Sequence, residues 1–172
     1  AATSELGDPS LAIRRNTIRN GRDFGVLVNA GDGTEIVDNR FEGNAHCSSG
    51  VDCQFRRALY ATPSGHTGFV LARNHFEDSS LNQDGACEGN VAHVRGGTGA
   101  IVEDNLVVAR LDPTPTAECG GIRIGGNRDT RVHACRDCIV RRNTIRNTTY
   151  GFLLESWVGG VVENNLIALA SP

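Results

Sequence analysis

Tyr60, His93 and Arg123 stand 33 and 30 residues apart, and each is flanked on both sides by apolar residues: Leu59-Tyr60-Ala61, Ala92-His93-Val94 and Ile122-Arg123-Ile124. These three residue types can together remove a proton next to a carboxylate. An arginine pairs with the carboxylate through two parallel N–H donors. A histidine titrates near neutral pH and serves as the base, and a tyrosine hydroxyl returns a proton to a departing oxygen. Two residues further on in the same frame stand Asn29, Thr62, Arg95, Gly125 and Glu155. Of these, Arg95, Glu155, Asn29 and Thr62 are candidates for holding a substrate. The plain alternative is that all of them belong to an ordinary polar sheet face. A hydrolase would need two carboxylates set across the scissile bond, and the columns offer only Glu155, which argues against hydrolysis.

Residues so far apart in sequence meet only if the chain returns to the same place at regular intervals. An internal repeat supplies this. An apolar residue, two variable residues, Asn, one variable residue and a second apolar residue recur around Asn16, Asn39, Asn74, Asn105, Asn143 and Asn165, in steps of 23, 35, 31, 38 and 22. The shortest steps define a bare rung, and the longer ones carry insertions. From the second copy onward a further strand precedes the repeat: Gly25–Val28, Ala58–Ala61, Val91–Val94, Gly121–Ile124 and Gly151–Leu154. Short alternating segments bounded by Gly, Asn and Asp read as strands. One rung cannot bury its apolar face, but stacked rungs share a core. The pattern therefore predicts one all-β domain over residues 1–172, a right-handed parallel β-helix (solenoid) of about 5–6 rungs with loop insertions. Alternation then sends Val26/Val28, Leu59/Ala61, Ala92/Val94, Ile122/Ile124 and Phe152/Leu154 inward. Leu27, Tyr60, His93, Arg123 and Leu153 turn outward.

The six asparagines are expected to form a structural ladder. Asn tolerates a left-handed backbone at a bend, and its amide can bond its equivalents above and below. The residues just before them, Arg15, Asp38, Arg73, Asp104, Arg142 and Asn164, alternate in sign. At the ~4.8 Å spacing of neighbouring strands this column would pair charges and disfavour slipped registers.

The Asn-x-[Ile/Phe/Val] repeat with rungs of 22 or 23 residues, from about Leu11 to Ala170, resembles the repeats of the pectate-lyase-like superfamily. That superfamily includes polysaccharide lyases, mannuronan C5-epimerases and polygalacturonase-type hydrolases. The resemblance implies the β-helix fold and an extracellular acidic polysaccharide as partner. It makes lyase or epimerase roles for Tyr60, His93 and Arg123 plausible without a motif that fixes them there. It carries little weight for activity, because fold does not determine function. The alternative is a structural β-helix that stacks end to end with itself: no amphipathic helix precedes Leu11 to cap the stack, and proteins usually cover such edges.

Other features narrow the classes. The net charge of −3 is too mild to imply nucleic acid, and no apolar run approaches the about 18 residues of a membrane span. All 17 basic residues are Arg, so no mechanism can draw on a lysine. The chain has no Met and opens Ala-Ala-Thr-Ser, which reads as processed or excised from a longer protein. Six cysteines in a loop-rich chain suggest disulfides and a secreted or periplasmic location. Cys47 and Cys53, and Cys135 and Cys138, could close small loops, while Cys87 and Cys119 could meet by stacking. Zinc is the rival for Cys135-Arg136-Asp137-Cys138 beside His133, but no second such pair completes a tetrahedral site. No cofactor is expected. The segment Glu77–Glu88 is rich in oxygen ligands that calcium would accept, yet it lacks ordered ligand spacing and reads as a solvated loop. Asn147-Thr148-Thr149 is formally a glycosylation acceptor.

Overall fold

The computed structural model describes residues 10–46, 56–111, 114–126 and 133–169. The chain lays down strands in a repeating order. The first rung holds β1 (Ala12–Arg14), β2 (Thr17–Arg19) and β3 (Phe24–Val28), and the second β4 (Glu35–Val37), β5 (Arg40–Glu42) and β6 (Arg57–Ala61). The third holds β7 (Val70–Ala72), β8 (His75–Glu77) and β9 (Asn90–Val94). The fourth adds a corner strand: β10 (Gly97–Thr98), β11 (Ile101–Glu103), β12 (Leu106–Val108) and β13 (Gly120–Ile124). The fifth holds β14 (Cys135–Arg136), β15 (Ile139–Arg141), β16 (Thr144–Arg146) and β17 (Tyr150–Leu154). The last has β18 (Trp157–Val158), β19 (Val161–Glu163) and β20 (Leu166–Ala168).

Every strand pairs in parallel with its counterpart one rung away. The result is two six-stranded sheets (β1-β4-β7-β11-β15-β19 and β2-β5-β8-β12-β16-β20), a five-stranded sheet (β3-β6-β9-β13-β17) and a three-stranded one (β10-β14-β18). No described residue is helical. The middle residues of the short strands form columns in exact register, Ile13-Ile36-Leu71-Val102-Val140-Val162 and Ile18-Phe41-Phe76-Val107-Ile145-Ile167. The rings of Phe41 and Phe76 stack at 4.6 Å. Four members of each column, those of the second to fifth rungs, are at most 1% exposed. Fully burying each such side chain contributes about 1.5–3 kcal/mol, and only the rungs above and below make that burial possible.

The asparagines lie one over another as donors and acceptors. The backbone N–H and the Nδ2 of Asn74 both reach Asn105 Oδ1, at 3.0 and 3.1 Å, and those of Asn105 reach Asn143 Oδ1 at 3.1 and 2.9 Å. From Asn39 onward each Nδ2 also donates to a carbonyl of the rung behind, as Asn105 does to Leu71 at 2.9 Å. The left-handed residue is not the asparagine, as the sequence had suggested, but the one before it. Arg15, Asp38, Arg73, Asp104, Arg142 and Asn164 all have φ between 53° and 57°. Such a conformation costs a non-glycine residue about 1–3 kcal/mol, and here it turns the next side chain into the interior, where its amide is satisfied.

The charged column pairs two by two rather than continuously. Arg73 Nε meets Asp38 at 2.7 Å and Arg142 Nε meets Asp104 at 2.8 Å. Neither Arg15 with Asp38 nor Arg73 with Asp104 forms an ion pair among the described residues. In each pair the arginine's hydrogen bond holds the carboxyl below its ordinary range.

Among the described residues two disulfides are formed. Cys87–Cys119 joins the insertions that precede β9 and β13 and sits in a small apolar cluster with Leu81 and Ala109. Cys135–Cys138 spans the corner between β14 and β15 and is buried in the main core. Its sulfurs are bonded to each other, which fits the disulfide reading of that segment. Disulfides fit an oxidising compartment. Cys47 and Cys53 lie outside the described residues.

Candidate ligand-binding face

On the five-stranded sheet polar side chains of different rungs meet. Its register places Leu27 beside Tyr60, Tyr60 beside His93, His93 beside Arg123 and Arg123 beside Leu153. The rings of Tyr60 and His93 meet edge to face, 5.1 Å apart with an interplanar angle of 89°. One strand position beyond the sheet, Arg95 Nη1 donates to the Tyr60 hydroxyl at 3.1 Å. Arg123 Nε donates to Glu155 at 2.8 Å, a pair whose side chains are 24% and 18% exposed. Five of the sequence-derived candidates therefore form one cluster. Asn29 and Thr62 occupy the same outer row as Arg95 and Glu155, on the first and second rungs. Asn29 is exposed and Thr62 half-buried.

His93 is only 4% exposed. Its Nε2 lies 2.8 Å from the carbonyl oxygen of Gly125 on the next rung. A carbonyl can only accept, so Nε2 carries the proton, and Nδ1 is left as a buried lone pair with no hydrogen-bond partner. Burial pushes the imidazole pKa down to about 3; the Gly125 carbonyl opposes the shift, and the guanidiniums of Arg57, Arg123 and Arg95 add to it. The ring is neutral near neutral pH.

Gly125 has φ +96°, and a Cβ there would fall 1.7 Å from the Glu155 carbonyl oxygen. Only glycine fits between that carbonyl and the turn that presents the Gly125 oxygen to His93.

The sequence pattern missed a further row. Each strand of this sheet begins one residue earlier than the pattern indicated, at Phe24, Arg57, Asn90, Gly120 and Tyr150. Strict alternation would send these inward with Leu59 and Ala92. Instead Ala58 and Leu59 are both buried, as are Val91 and Ala92, so the alternation breaks and the first residue shares the face of Tyr60. The Phe24 ring lies 5.9 Å from that of Tyr60, and the Arg57 guanidinium sits 5.8 Å from the same ring. Tyr150 donates to Asn90 Oδ1 at 3.2 Å, and its ring covers Gly120, where a Cβ would come within 2.3 Å of it. Arg57 is 2% exposed with its Nε unpartnered, and burial, aided by the charge of Arg123, lowers its pKa to about 10. A pair of consecutive apolar residues after a polar one, as in Arg57-Ala58-Leu59 and Asn90-Val91-Ala92, was the signal available in the sequence.

Three guanidiniums, of Arg57, Arg95 and Arg123, thus surround one imidazole and one phenol, with Glu155 as the acid paired among them. On a chain of net charge −3 this is a local cationic patch, suited to carboxylate or another oxyanion.

Elsewhere, a cleft of about 490 Å³ is lined by Arg19, Arg40, Glu42, Glu77, Asp78 and Arg110. Its charges neutralise one another: Arg40 pairs with Glu77 at 2.9 Å, Arg110 with Asp78 at 3.1 Å, and Arg19 with Glu42. Among the described residues no group of three or more His, Cys, Asp or Glu side chains could hold a metal ion. In the Glu77–Glu88 insertion, Asn82 Oδ1 accepts from the N–H groups of Asp84 and Ala86 while its Nδ2 donates to Glu88. In the glycosylation triplet, Asn147 Nδ2 donates to the Ala109 carbonyl at 3.2 Å. No described helix is long and apolar enough to cross a membrane. No family model, curated protein or solved structure matches the chain.

Proposed function

We propose that the chain is a secreted right-handed β-helix of the pectate-lyase-like kind, and that its five-stranded sheet binds an acidic polysaccharide. The observation that carries this reading is the convergence of Arg57, Arg95 and Arg123 on the Tyr60–His93 pair, with Glu155 as the acidic partner of Arg123 among the described residues. Uronate carboxylates meet Arg95 and Arg123 through charge-assisted hydrogen bonds, and the Tyr60 ring offers an apolar surface to a sugar while its hydroxyl stays polar.

A lyase or C5-epimerase reading draws on one specific feature, the unpartnered His93 Nδ1. A neutral imidazole beside carboxylate-binding arginines has the position of a base for proton removal at C5, but a pKa of about 3 makes it a weak one. At 4% exposure the lone pair is shut off from a substrate on the surface, so binding is the better-supported function.

Affinity electrophoresis through gels containing polygalacturonate or alginate, against neutral dextran, tests the proposal. Retardation by the uronates alone is expected, and equal mobility in all gels overturns it. The ultraviolet absorbance of unsaturated product, and NMR of the uronate composition, show in the same samples whether elimination or epimerisation accompanies binding.

A further inference from the structure

Arg56, just before β6, and Arg57, its first residue, are both buried, at 8% and 2% exposure. Taking a charge out of water is costly unless an opposite charge replaces the lost hydration. Arg56 has one: its Nη1 meets the Asp23 carboxylate at 2.9 Å. Arg57 pairs with no described carboxylate, and its Nε–H has no acceptor. Its guanidinium lies 5.8 Å from the centre of the Tyr60 ring. Burial and the like charge of Arg123 both work against its ionised form.

The register shows why the sheet itself offers Arg57 no counter-charge. Its own row, with Phe24, Asn90, Gly120 and Tyr150, contains no acid. The row of Tyr60, His93 and Arg123 contains none either. Glu155, in the outermost row, is bonded to Arg123 through both Nε and Nη2. Arg95 spends Nη1 on the neutral Tyr60 hydroxyl. Among the described residues Arg57 and Arg95 are therefore left without a carboxylate, and Arg57 is the one withdrawn from solvent.

We propose that Arg57 binds a compact oxyanion from solution, of the class of sulfate or hydrogen phosphate, as the counter-charge its own sheet lacks. The oxyanion accepts from the Arg57 Nε–H in a charge-assisted hydrogen bond, and the charges of Arg95 and Arg123 hold it there. A guanidinium this enclosed is out of reach of a sugar chain lying on the sheet, which limits the occupant to a few atoms. The inference rests on the reading of this sheet as an oxyanion-binding face and adds an inner site to it. Without the oxyanion, Arg57 weakens the fold; with it, the same residue strengthens it.

Thermal unfolding of the full chain in a low-salt buffer tests this, with sodium sulfate or sodium phosphate added against sodium chloride at equal ionic strength. Sulfate and phosphate should raise the midpoint along a saturating curve, by about 5–10 °C at a hundredfold excess over Kd. Arg57→Met keeps the apolar stem and removes the charge, so it reads the general stabilising effect of these salts alone. It should lose the saturating rise, and in the anion-poor buffer it should melt above the unchanged protein, because no buried charge then needs a partner. A midpoint that follows ionic strength alone in the unchanged protein overturns the proposal. So does an Arg57→Met that melts lower in the anion-poor buffer or does not fold, since the chain then supplies the partner itself. A rise produced by trigalacturonate and not by sulfate or phosphate overturns it as well, by assigning Arg57 to the polysaccharide. Retardation of the unchanged protein in polygalacturonate gels is read separately, so the polysaccharide reading stands or falls independently of the salt series.

Discussion

His93 and Gly125 lie 32 residues apart in the chain, yet the imidazole Nε2 meets the Gly125 carbonyl at 2.8 Å. This bond fixes the tautomer, buries the unprotonated nitrogen and ties β9 to the turn after β13. A histidine held neutral in this way has a folded-state pKa, about 3, far below its ordinary 6.5. The unfolded chain therefore binds a proton more readily. The contribution of His93 to stability is complete above pH 6.5 and is lost as pH falls toward 3. The slope approaches at most about 1.4 kcal/mol per pH unit. Urea midpoints between pH 7 and 3 should fall more steeply for the unchanged protein than for His93→Gln, which keeps a polar side chain but cannot titrate. Parallel curves would show that the ring is not held neutral in the fold.

The arginines of the face should carry binding. Arg95→Ala and Arg123→Ala should each weaken retention on polygalacturonate by about 10–100-fold, the range expected for losing a hydrogen bond to a charged group. Glu155→Gln, which removes the acid competing for Arg123, should strengthen it. Raising the salt concentration should weaken binding by the unchanged protein more than by either alanine variant. Isothermal titration in a salt series distinguishes these outcomes.

Ladder position should set the cost of removing an asparagine. Asn105→Ala takes away the acceptor of two Asn74 donors and a donor to the buried Leu71 carbonyl. Unsatisfied buried groups of this sort cost about 1–3 kcal/mol each, so a loss of about 3 kcal/mol or more is expected from urea unfolding. Asn16→Ala, on the exposed first rung, should cost under about 1 kcal/mol.

Cys87–Cys119 closes a loop with a sequence separation of 32. Opening it by Cys87→Ala with Cys119→Ala should lower stability by about 3 kcal/mol. Ligand retention should change little, because neither cysteine touches the arginine cluster. A large loss of binding would show that the stapled insertions help shape the face.

Much of this architecture could be read from spacing alone. The six asparagines, the apolar columns and the outward row of Tyr60, His93 and Arg123 follow from a period that recurs in the sequence. Three things did not follow. The left-handed residue before each asparagine escaped because three of the six are Arg, an unusual choice there, tolerated since the amide interactions of the next residue compensate. The row of Arg57, Asn90 and Tyr150 escaped because two consecutive inward residues break alternation. The burial of His93 escaped because it depends on a carbonyl brought in by the following rung, and no local pattern reports on the neighbour above.

A column whose members touch only the rungs beside them has no centre that holds everything at once. Exposure rises from nearly nothing at Val102 to 45% at Val162, so opening begins at the extremities and travels inward like the fraying of a rope. Amide protons of β9, β11 and β12 should exchange last. A lesion in the sixth turn should leave the second intact, so the arginine cluster, set in the middle turns, sits where the rope frays last.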